Sequence, residues 1–146
     1  MATITYTVTV ATGTNAFSAT NPKFFIDSIV SPVLYLQEGN TYIFDQSDTS
    51  NNTYALVLSS TKDGVHATPA GTAYLQGVTT VGTAGTAGAY TQIIVAPVRT
   101  VGAPVLFYYA VGQVGMGNTA QTIAPTSETT EFNPQIDEII EEAYER

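Results

Sequence analysis

Apolar residues alternate with threonine from Ile4 through Tyr6 and Val8 to Val10. That period of two admits little except a strand with one buried face. Further short apolar runs follow at Lys23 to Ile29, Leu34 to Leu36, Thr41 to Phe44, Tyr54 to Leu58, Tyr90 to Val95, Val105 to Val111 and Asn118 to Ile123. Turn-forming residues separate them: Glu38-Gly39-Asn40 reads as a turn, Ser47 to Asn52 as a polar loop, and Gly82 to Gly88 as a flexible small-residue loop. Many short strands punctuated in this way predict an all-β domain, a sandwich or a barrel. Val105 to Val111 is the most apolar and aromatic run and is expected at the centre of a sheet. Tyr42, Phe44, Tyr90, Ile93, Val95, Phe107 and Tyr109 are expected in the core.

Composition narrows what such a domain can do. The chain has 146 residues, enough for one domain with a core of its own. Charged residues make up 11 %, so the surface falls to Thr, Ser, Asn, Gln and Gly. The formal charge is −8, and the only basic residues are Lys23, Lys62, Arg99 and Arg146, which are scattered. A nucleic-acid binder needs clustered Lys and Arg, so that class is excluded. There is no cysteine, hence no disulfide, thiol nucleophile or Cys-ligated metal. The start Met1-Ala2-Thr3-Ile4 lacks the pattern of a signal peptide, and no apolar run approaches a membrane span.

The last residues change character. Residues 125–132 read as a linker. Asn133 suits a helix cap and Pro134 the first helical position. Ile136, Ile139, Ile140 and Ala143 then recur at helical spacing, with Glu138, Glu141, Glu142 and Glu145 on other faces. This predicts an acidic amphipathic helix over 133–146, following a sandwich over 1–124. A helix this short needs a surface to bury its isoleucines. The sandwich itself or a partner chain could provide one, and Ile136, Ile139, Ile140, Ala143 and Tyr144 are the candidate docking residues.

Catalytic constellations are poor. His66 is the single histidine, in the turn-like stretch Asp63-Gly64-Val65-His66-Ala67. A metal site would need more such ligands. A hydrolytic triad would need His66 placed by a carboxylate, and no nucleophile elbow is present. Asp45, Asp48 and Asp63 could contribute to a calcium site, although loop acids more often form solvated turns. An exposed set of tyrosines could bind sugars or a partner protein.

Four stretches in order carry a family resemblance: Glu38 to Asp48, Asp63 to His66, Gly88 to Thr91, and Phe107 through Gly117. Together they resemble the cupredoxin-like domains of phage virion proteins, mainly of marine phages, over roughly residues 3–123. The resemblance implies an antiparallel Greek-key sandwich. Copper-binding members carry a His at the start of a middle strand, then a Cys, a second His and a Met near the last strand. Thiolate and imidazoles bind copper in a plane, and the weak axial Met tunes its potential. Here the matching positions hold Tyr54, Ala110, Gln113 and Met116, so the resemblance implies a frame that has lost its copper and needs no cofactor. The tail from Glu131 to Arg146 resembles the opening helix of phage head–tail adaptor proteins.

The expectation is therefore a non-enzymatic virion protein, made in a host cytoplasm and present in many copies or as a homo-oligomer. It would decorate or cement a capsid, or sit at the neck, against a major capsid protein, portal or adaptor. The N-terminal strand edge or the tail helix would make the contact. A host-surface or carbohydrate-binding module and a copper-binding electron-transfer cupredoxin are the alternatives.

Overall fold

A computed structural model describes residues 2–14, 21–96 and 105–124. Ten strands form two mixed sheets: β1 (Thr3–Gly13), β2 (Asn21–Ile26), β3 (Ile29–Val30), β4 (Leu34–Gln37), β5 (Thr41–Asp45), β6 (Leu56–Ser59), β7 (Val78–Val81), β8 (Tyr90–Ile94), β9 (Val105–Ala110) and β10 (Gln113–Ile123). One sheet runs in the order β3-β2-β1-β5-β8-β7, the other β4-β10-β9-β6. Most neighbours are antiparallel. β1 lies parallel to β5, and β4 parallel to β10, giving each sheet one parallel pair. The result is a β-sandwich of two mixed sheets.

The predicted periodicity decides which side of each strand is buried. Val8 on β1 is fully buried and Ile4, Tyr6 and Val10 pack against the core, whereas Thr3, Thr5 and Thr7 face solvent. Tyr42 and Phe44 of β5 meet Phe24 and Ile26 of β2 in the same core, opposite Leu56 and Leu58 of β6 and Leu106 and Tyr108 of β9. Burying each of these large side chains contributes about 1.5–3 kcal/mol. Tyr108 is the hub. Its ring lies 6.4 Å from that of Phe24 across the two sheets, and its hydroxyl donates to the Pro32 carbonyl at 2.6 Å.

Several expectations are corrected. Lys23 to Ile29 is two strands, because Asp27 and Ser28 take positive φ angles of 49° and 71° and turn the chain back. Asp27 closes that turn onto β1, its carboxylate accepting from the Thr7 amide at 2.8 Å. β7 was not anticipated. Tyr54 precedes its strand, and β10 starts at Gln113, with a register shift before Asn118. Tyr90 and Phe107 are half-buried rather than core residues. The N-terminal strand is no edge: β2 and β5 flank it on both sides. The edges among the described strands are β3, β7, β4 and β6. The linker 125–132 and the helix over 133–146 lie outside the described residues.

Gly82 to Gly88 is a run of tight turns. Gly85 has φ of 90° and its amide donates to the Gln46 carbonyl at 2.8 Å. A Cβ there would come within 2.7 Å of the Asn52 backbone, so only glycine fits.

Candidate functional site

The four positions that the resemblance singled out converge on one end of the sandwich. Ala110 ends β9 and stands opposite both Leu56 of β6 and Gln113 of β10. Tyr54 lies two residues before Leu56, and the Val111 amide reaches the Ala55 carbonyl at 3.4 Å. Ala110 and Met116 are fully buried members of the core cluster, and Tyr54 packs against it. Gln113 is half-exposed, with its amide nitrogen donating to the Val114 carbonyl. The strand frame thus gathers all four, and the set holds neither the thiolate nor the imidazoles of a trigonal copper plane, Met116 and Gln113 offering at most a weak axial ligand.

Polar anchors hold this end in shape. Gln46 is almost fully buried. Its side-chain nitrogen donates to Asn51 Oδ1 at 3.1 Å and to the Tyr54 carbonyl at 2.8 Å. Its Oε1 accepts from the Leu56 amide at 2.9 Å. Asn51 in turn donates to the Val8 carbonyl of β1 at 2.7 Å. Two side chains therefore seat the Tyr54–Leu56 entry on β6 and tie it to the opposite sheet. Beneath the bulge of β10, Ser31 Oγ donates to the Met116 carbonyl at 3.0 Å. Gly117 is required there, since a Cβ would meet the Tyr108 carbonyl oxygen at 1.8 Å.

The 63–66 segment closes the end from outside. His66 Nε2 lies 2.7 Å from the Ala110 carbonyl oxygen, and its ring stands edge-on to Tyr109 at 6.2 Å. A carbonyl only accepts, so Nε2 carries the proton. The single imidazole of the chain thus spends that nitrogen on the backbone carbonyl of Ala110. Gly64 packs on Tyr109 so closely that a Cβ would fall within 2.4 Å of the ring. Asp63, at φ 59°, accepts from the Gly115 amide through both carboxylate oxygens, at 3.1 and 3.2 Å.

Burial raises the Asp63 carboxyl above its ordinary range; the Gly115 hydrogen bond and the charges of His66, Lys23 and Lys62 oppose that shift. Burial lowers the Lys23 ammonium, and the Asp63 charge opposes it. Burial also raises the Tyr109 phenol.

The candidate calcium acids are dispersed among three local tasks. Asp45 accepts from the Ser47 amide and hydroxyl at 2.9 and 2.7 Å. Asp48 caps the short 3-10 turn Thr49–Asn51 through the Ser50 amide. Asp63 holds Gly115. Among the described residues no group of three or more His, Cys, Asp or Glu could hold a metal ion. The candidate docking residues Ile136, Ile139, Ile140, Ala143 and Tyr144 lie outside the described residues.

Sequence reasoning missed Gln46, Asn51 and the contacts of His66. The Asp63-Gly64 pair did signal a tight turn. Nothing local signals a hydrogen bond between residues 44 positions apart.

No family model and no curated protein matches the chain. Among solved structures it is similar to the 2F4 variant of the McoA multicopper oxidase from the hyperthermophile Aquifex aeolicus. Identity is 15 % and the TM-score 0.41, over 86 % of this chain and 27 % of that one. The chain spans little more than a quarter of that structure's length.

Proposed function

We propose that this chain is a non-enzymatic structural protein of a phage virion, decorating the capsid or sitting at the neck. The observation that carries the non-redox part is the closed end of the sandwich. Ala110 and Met116 are buried, and His66 is turned to a backbone carbonyl. A redox cupredoxin keeps that end supplied with thiolate and imidazole ligands. The virion assignment rests on the sequence resemblance.

The docking element on this reading is the joined edge of the two sheets. β3 and β4 end their respective sheets and are linked by Ser31, Pro32 and Val33. Ile29 is 60 % exposed and Tyr35 61 %, with Val30 and Val33 also exposed. No charged residue interrupts Ile29 to Gln37. Exposed apolar edges of this kind pair readily with another chain, and natural monomers usually blunt them with charge. Many copies on a symmetric particle would multiply a weak contact of this type. The acidic tail is a second docking element.

Fractionating a lysate of the infected source cells on a density gradient tests the assignment. The chain should band with DNA-filled particles, and a copy ending at Ser127 measures what the tail adds. Recovery solely in the soluble fraction, or stoichiometric copper in the purified protein, would overturn the reading.

A further inference from the structure

The outer face of the six-stranded sheet holds a cavity that the docking reading does not use. Tyr42, Phe44, Thr91 and Ile93 point into the core, so the residues between them point outward. The pairing register places Thr7, Asp45, Tyr90 and Val81 in one outward row across four strands. Thr5, Ile43, Gln92 and Thr79 form the next row. Where the first row meets the following loops lies a cavity of about 150 Å³, lined by Ile43, Asp45, Ser47, Gly88, Ala89 and Tyr90.

Its polar groups are preset and partly unspent. Both hydrogen bonds from Ser47 fall on Asp45 Oδ1, which fixes the carboxylate plane. Oδ2 is left without a partner among the described residues, as is the Tyr90 hydroxyl. Gly88 lines the rim with φ of 81°, and a Cβ placed on it meets nothing within 4 Å. The site therefore offers carboxylate and hydroxyl acceptors, a phenol that can donate or accept, and apolar walls from Ile43, Ala89 and the Tyr90 ring. Among the described residues, neither Lys23 nor Lys62 lines it.

We infer that this cavity binds a neutral pyranose, one terminal sugar ring of a glycan. A carboxylate with a free oxygen accepts from vicinal hydroxyls, while an aromatic wall covers the apolar C–H face of the ring. A cavity of about 150 Å³ suits one ring at most. A lone carboxylate without a cation repels phosphates, sulfates and sialic acids. The inference stands independently of the virion reading, because the cavity lies on a different face from the β3–β4 edge.

The test uses amide NMR of the full chain titrated with the methyl glycosides of glucose, galactose and mannose, and with sialic acid as the anionic control. At least one neutral glycoside should shift the amides of Ser47, Gly88, Ala89 and Tyr90 with a millimolar Kd, the weakness expected of a shallow single-ring site. Asp45→Asn keeps an oxygen for Ser47 but converts the free acceptor to a donor, and should weaken binding about tenfold. Tyr90→Phe keeps the wall and should weaken it severalfold, which provides a reading even if Asp45→Asn fails to fold. The inference is overturned if no neutral glycoside moves these amides, if both folded variants bind as the parent does, or if sialic acid binds equally well.

Discussion

Met116 and Gln113 sit three residues apart and have opposite fates. Met116 is fully buried in the core, and Gln113 is half-exposed. Met116→Ala removes buried atoms from a packed site and should cost about 2–5 kcal/mol in urea unfolding. Gln113→Ala should change stability by no more than about 0.5 kcal/mol. Equal losses at the two positions would mean that the thioether is not a packing element. Asp63 gives a pH-dependent case. Its folded carboxyl is raised above 3.8, so across that window the folded state holds the proton more tightly than the unfolded state. Stability from this group is fully present at low pH and is lost as pH rises through the raised value. Asp63→Asn can still accept from Gly115 but cannot ionise. Its stability relative to the parent should therefore climb from pH 3 toward neutrality, and a flat difference would refute the assignment. Of these residue roles, the burial of Met116 agrees with its being an apolar side chain near the most apolar strand. The anchoring of Gly115 by Asp63 was not legible in the sequence, since it joins residues 52 apart through tertiary packing.

At the scale of elements, legibility followed periodicity. β1, β5, β8 and β9 were readable because alternation or apolar density persists over five or more residues. β7 escaped because Val78-Thr79-Thr80-Val81 is mostly exposed and lacks a buried side to create a pattern. The break between β2 and β3 escaped because Asp27 and Ser28 follow a run of strand-forming residues, and the turn depends on Asp27 reaching β1. The seating of β6 depends on Gln46, which no periodicity marks. Gln46→Leu fills the space but orphans the Leu56 amide and the Tyr54 carbonyl, at about 1–3 kcal/mol each. Amide exchange should accelerate first in β6, and uniform acceleration over the whole sandwich would argue against this local role. The β3–β4 edge makes the opposite kind of prediction. Tyr35→Lys places charge on an exposed strand that pairs only with β10. Thermal stability should stay within about 0.5 kcal/mol of the parent while any edge-mediated association falls. A variant that still associates at parental strength would move the interface elsewhere.

For the whole molecule, the order of the sheets matters more than any single ligand position. β6, β9 and β10 stand side by side, and the described frame brings Tyr54, Ala110, Gln113 and Met116 to the same end. Hydrogen-bonded ladders and a buried core do not depend on what occupies one end, so the sandwich stands with Tyr54, Ala110 and Gln113 at the positions that the resemblance assigns to copper ligands. The idea has a direct test. Restoring the set by Tyr54→His, Ala110→Cys and Gln113→His supplies two imidazoles and a thiolate beside the existing Met116. Two imidazoles and a thiolate with a weak axial thioether make up the trigonal copper set. The triple variant should bind one Cu(II) per chain and show a visible thiolate-to-copper charge-transfer band. Reverting the Cys to Ala should abolish that band. Leaving out either His should weaken copper binding by at least tenfold, because two strong ligands cannot close the trigonal plane. The His66 bond to the Ala110 carbonyl uses backbone, so it survives the exchange of the Ala110 side chain and should still cover the site. A folded triple variant without copper affinity would show that these four positions, though adjacent, are not arranged as a ligand set, and the resemblance would then extend to the sandwich and no further.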